Sequence, residues 1–142
     1  MERLSINDLN NLSGVSSNEL DELYKNFRSA HTSLYNKMNK LINYISSVST
    51  TSNKLSDSDN YRVYKDLYYK CTLANLDMDL FRDNTKDYVS LLDKLNLNSK
   101  IGEVDKLFNL VGMKHKELNK LFTDIIDKYN YYYSRLEEMN EG

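Results

Sequence analysis

Two histidines, one cysteine and a knot of tyrosines are the side chains of this sequence whose types could carry chemistry. An imidazole can shuttle a proton or ligate a metal. Di-metal helical bundles set a Glu three residues ahead of a ligating His, but Arg28 precedes His31 at that spacing and Gly112 precedes His115, so no metal site is expected. In GMKHKEL, His115 falls on an apolar stripe, where a neutral imidazole would hydrogen-bond across to a neighbouring helix. Cys71, the single cysteine, can form neither an internal disulfide nor a CxxC pair, and its place on another apolar stripe is that of a small buried hydrophobe. The stretch DIIDKYNYYYSRLEE sets tyrosine at 129, 131, 132 and 133. Helical spacing puts Tyr129 and Tyr132 on a packing seam, Tyr133 beside it and Tyr131 on the far side, so packing with wet hydroxyls is expected rather than a phenolic site.

His31 lies in RSAHTSLYNKM, whose Ala-His-Thr opening resembles the phosphoacceptor helix of histidine phosphotransfer domains, helical bundles of about this length. The resemblance covers a few residues and implies a phosphoacceptor role for His31. Such domains follow the histidine with a lysine three positions on and then a small residue. Leu34 and Tyr35 stand there in this chain, so the charge that would neutralise the phosphoryl group is missing.

Other catalytic signatures are absent from the sequence. It has no GxGxxG or GKS/T phosphate loop, and no serine or cysteine sits in a nucleophile motif. A narrow bundle filled by its own side chains leaves little room for a substrate pocket. The expectation is therefore a protein that is not an enzyme and that uses no cofactor, metal or small-molecule substrate. Acids and bases are interleaved, with a formal net charge of -2, which leaves no electrostatic footprint for nucleic acid. No window nears the roughly 18 apolar residues of a membrane span, and MERLSINDLNN lacks the apolar core of a secretory signal. An intracellular protein, in cytoplasm or nucleus, is expected. Abundant Asn, Lys, Tyr and Ile with little Ala, Gly and Pro is the drift of an AT-rich genome.

The elements that must position these residues are helices, because the 142 residues include four glycines and no proline. A short helix over about 6–12 is expected from Ser5 with Asp8 and the Leu4/Leu9 staple, ending at Gly14. Ser16 and Glu19 then form a capping box for a long helix over about 17–48, with its apolar side on Leu20, Leu23, Phe27, Ala30, Leu34, Met38, Leu41, Ile45 and Val48. The run SSVSTTSNKLSDSDN, residues 46–60, predicts the longest loop, its start finishing the preceding helix. A second helix over about 60–95 carries Tyr64, Leu67, Cys71, Ala74, Met78, Phe81, Thr85, Tyr88, Leu92 and Leu95 in unbroken 3,4 spacing. The phase breaks at NLNSK and Gly102, which predicts a reversal. A third helix over about 100–139 carries Ile101, Val104, Phe108, Val111, His115, Leu118, Phe122, Ile125, Tyr129, Tyr132, Leu136 and Met139. These combine most simply as one all-α domain, residues 1–142: an elongated antiparallel three-helix bundle with coiled-coil-like heptad seams and a short extra N-terminal helix.

The most informative feature is a second apolar stripe, Tyr69, Leu73, Leu76 and Leu80, on the side of the second helix opposite Cys71, Ala74 and Met78. A helix apolar on two sides is covered on two sides. The cover is either the short N-terminal helix, through Leu9 and Leu12, or another chain: a second copy or a different helical protein. The sequence thus points to a helical protein–protein interaction module acting as a small subunit, adaptor or scaffold, with a virus- or phage-encoded inhibitor of a host protein as the other reading within binding proteins.

Overall fold

In the computed structural model the described residues are 16–141, with Glu141 described by its backbone alone, and among them there is no strand. Three helices pack against one another: α1 (Ser17–Thr51), α2 (Asp57–Lys94) and α3 (Asn98–Glu141), with a short 3-10 turn at Ser52–Lys54. The expected short helix over 6–12 lies outside the described residues. α1 starts where its capping signal sits, the Ser16 hydroxyl accepting a hydrogen bond from the Glu19 backbone N–H at 3.1 Å.

The expected loop over 46–60 is corrected to five residues. α1 runs three residues past Val48 to Thr51, and α2 begins at Asp57. The hydroxyls of Ser46, Ser47, Thr50 and Thr51 turn back onto carbonyls three or four residues earlier, so these side chains are satisfied within the helix instead of ending it. Ser56 is a cap hidden in the polar run: its hydroxyl accepts from the Asp59 N–H at 3.1 Å. Asn60, buried, closes the corner by donating from Nδ2 to the Ser52 carbonyl at 3.0 Å.

The second reversal is tighter than expected and does not use Gly102. Asn96 takes the left-handed conformation at φ 57°, which asparagine tolerates better than most residues. The Leu97 N–H reaches the Leu92 carbonyl and the Asn96 N–H reaches that of Asp93, both at 3.0 Å, the Schellman ending of a helix. α2 therefore stops at Lys94, α3 starts at Asn98, and Gly102 lies inside α3. A Cβ built on Gly102 or Gly112 meets nothing within 4 Å, so neither a turn nor a close helix approach explains either glycine. Gly102→Ala and Gly112→Ala are each expected to stabilise the chain by up to about 1 kcal/mol, measured as a rise in the urea midpoint at unchanged slope.

The core is the three seams. All ten predicted α2 positions are buried, and Met38, Val104, Val111, Leu118 and Ile125 face them from α1 and α3. Each fully buried large aliphatic side chain contributes roughly 1.5–3 kcal/mol of transfer free energy. Rings key the helices together: Phe27 stacks on Phe81, Phe81 on Phe108, and Tyr64 on Tyr132. At the α1/α2 seam the pattern departs from expectation, since Leu23 is 38% exposed and Ala30 is exposed as well. There the two helices leave a groove of about 500 Å³ bounded by Leu23, Phe27, Ala30, Phe81, Tyr88 and Leu91.

Candidate interaction face

The chemistry-bearing residues are placed for packing. Cys71 is fully buried and its thiol is pushed up to about 11 by burial, far from the thiolate a nucleophile needs. The tyrosines form a ladder between α2 and α3: Tyr61 stacks on Tyr129 at 5.6 Å, Tyr68 leans on Tyr129 at 5.3 Å, and Tyr64 stacks on Tyr132 at 5.7 Å. Tyr129 is held above the ordinary phenol range first by its hydrogen bond with Tyr61, and Tyr132 first by burial. Both shifts run opposite to what an activated phenol needs. Tyr131 points away, as its position in the spacing implies.

His115 sits on the α2/α3 seam, its Nε2 at 2.6 Å from Asn75 Oδ1. Asn75 Nδ2 donates to the Cys71 carbonyl at 3.1 Å, which turns the amide oxygen toward the ring, and Asn119 Nδ2 lies 3.3 Å from the same Nε2. On the other side of α3, Lys114 Nζ reaches Asn39 Oδ1 at 3.2 Å. This polar layer ties α3 to both neighbours and marks one register, as polar residues at seam positions do.

His31 gains no support as a phosphoacceptor. Its Nε2 is buried and, among the described residues, has no hydrogen-bond partner, while the ring lies against Tyr35. In-line attack on a phosphoryl donor needs that nitrogen open to solvent. Burial, then the nearby Arg28 charge, lowers the His31 pKa from 6.5; burial, then Arg82, lowers that of His115, with Asp79 opposing. The folded chain therefore disfavours both imidazolium ions, and the unfolded chain takes up protons first as the pH falls through about 6.5. This contribution to stability is whole above that pH and is lost progressively below it. The thermal midpoint is expected to fall between pH 7 and pH 5, and His31→Leu combined with His115→Asn to flatten that slope.

Among the described residues no group of three or more His, Cys, Asp and Glu side chains could hold a metal ion. None of their helices is long and apolar enough to cross a membrane.

What remains is the outer side of α2. Tyr69 is 62% exposed, Leu73 42%, Leu76 55% and Leu80 62%, so all four residues of the second stripe stand open. Their exposure follows from where α1 and α3 lie. α1 reaches α2 through Phe27 with Phe81 and Tyr88, and Lys37 with Asp77 at 2.9 Å. α3 reaches it through Tyr61, Tyr64, Tyr68 and Asn75, and through Arg135 with Asp57 at 2.9 Å. Those contacts take up two sides of α2, and the stripe occupies the third. Tyr44 of α1 is also exposed and stands near one edge of the stripe, its ring under the Lys70 ammonium at 5.0 Å. Leu107, Leu121 and Ile126 of α3 are partly covered, and Leu110 is exposed.

Sequence reasoning found the stripe and overlooked the α1/α2 groove, because Leu23 and Ala30 keep the seam spacing although α2 does not close over them. The chain matches no family model, no curated protein and no solved structure with which it was compared.

Proposed function

We propose that this chain is a non-enzymatic helical interaction module, a small subunit, adaptor or scaffold whose contact surface is Tyr69, Leu73, Leu76 and Leu80 on α2. In this reading it is one domain, an elongated antiparallel bundle running up, down and up. Two progressions support that topology: Phe27 and Lys37 meet Phe81 and Asp77, while Asp57, Tyr64 and Phe81 meet Arg135, Tyr132 and Phe108. Partners rise in number as their counterparts fall.

The observation that supports the function is one apolar row, on a folded helix, that stands exposed among the described residues. Three exposed leucines in line make a patch that water disfavours and a partner removes from water.

An inhibitor of a host protein would use the same face, so the test serves both readings. A charge in the middle of the stripe, Leu76→Glu, is expected to remove partner binding while the helix content stays. Loss of helix content would show the stripe to be core and end the proposal.

A further inference from the structure

We infer that the outer face of α2 is self-complementary and that its occupant is a second copy of this chain, laid antiparallel across it. The inference rests on the interaction reading above and adds the partner. At 100° per residue, Arg62, Tyr69, Leu73, Leu76, Leu80 and Asp87 fall within one sector of about 60° on α2. Along that sector the residues read basic, apolar and then acidic.

A two-fold axis through the midpoint of the row, between Leu73 and Leu76, turns this order onto itself. It sets Tyr69 against Leu80 and Leu73 against Leu76 of the other copy. At the ends it sets Arg62 against Asp87. Such an axis also brings each edge of the sector against the same edge of its copy. Lys65 and Asp83 share one edge, Lys70 and Asp77 share the other, and each pair straddles the axis within about one residue of symmetric spacing. Arg62, Lys65 and Lys70 each therefore come against an acid of the other copy, Asp87, Asp83 and Asp77, while Asp66 faces the neutral Asn84. A parallel arrangement would set Arg62 against Arg62 and Asp87 against Asp87.

The charges are available for this. Among the described residues Arg62, Asp83 and Asp87 have no ion-pair partner within the chain, and all three are exposed. Lys70 pairs with Asp66 at 3.0 Å and Asp77 with Lys37 at 2.9 Å, both near the surface, so neither bond holds its charge back firmly. The apolar centre is four side chains per copy, small for a permanent dimer. The association is expected to be reversible, with a dissociation constant of roughly micromolar order.

The test uses two charge-reversed full-length chains, one with Arg62→Glu and Lys65→Glu, the other with Asp83→Lys and Asp87→Lys. Followed by sedimentation equilibrium, each alone is expected to self-associate at least roughly tenfold more weakly than the intact chain, and a one-to-one mixture to form a dimer. Orientation is read by mixing Tyr69→Cys and Leu80→Cys chains under oxidation: the 69-to-80 crosslink should exceed either like-to-like crosslink, Cys71 being buried. A charge-reversed chain that associates as well as the intact one, or a mixture that stays monomeric, overturns the proposal. So does an excess of like-to-like crosslinks. An intact chain that is monomeric throughout removes the second copy; if its Leu76→Glu variant stays folded, the interaction reading survives, and if that variant unfolds, both fail.

Discussion

Leu76→Glu is expected to leave the circular dichroism spectrum and thermal midpoint of the chain nearly unchanged and to abolish its association. Both halves follow from position. Leu76 is 55% exposed and points away from α1 and α3, so a carboxylate there stays in water and the folded chain loses little. In an association across the stripe the same carboxylate would enter the apolar centre facing Leu73 of the second copy. An unpaired charge buried there costs several kcal/mol, enough to weaken a micromolar contact beyond detection. Light scattering for mass, with circular dichroism on the same sample, reads both halves at once. A variant that melts early would place Leu76 in the core instead.

Leu118→Ala is expected to do the reverse. Leu118 is fully buried in α3 among the seam residues, and truncation removes packing from a site that is closed on all sides. The loss is about 2–5 kcal/mol, or roughly 10 °C in thermal midpoint for a chain of this length. Helix content below the transition should remain, and association measured well below the midpoint should persist, because α2 keeps its outer face. The pair Leu76→Glu and Leu118→Ala thus separates the two apolar sides of the molecule by opposite readouts.

How far the residues disclosed this arrangement depended on which physical effect ruled each stretch. The α2 seam was legible position by position, since burial on one side of a long helix leaves a periodic imprint. Ser16 as a cap was equally legible, because its partner lies three residues on. The run at 46–60 misled because serine and threonine hydroxyls can serve a helix as well as break it, and the choice was made by Ile42, Ile45 and Val48, which are buried in the core and hold α1 helical around them. Ser56 with Asp59 was a readable cap, masked by neighbours of the same chemistry. The reversal lies within the break expected at NLNSK and Gly102, and the two Schellman hydrogen bonds form around Asn96 and not at the glycine. For the stripe, the spacing marks a second apolar row on α2 and leads to the expectation of a cover, whereas among the described residues the row is exposed. Its exposure needed the positions of α1 and α3, which depend on pairings such as Phe27 with Phe81 and Asn75 with His115.

The histidines make the same point. Seam spacing led to a hydrogen-bonded His115, and Asn75 supplies the bond from α2. Nothing in the spacing showed that the Nε2 of His31 would be covered.

The most direct measurement is the solution mass of the intact chain by light scattering from micromolar to near-millimolar concentration. If two copies meet across the outer face of α2, the mass rises from 16.7 kDa toward twice that value as concentration increases, and it returns on dilution. A mass that stays at the monomer value over the whole range would contradict it.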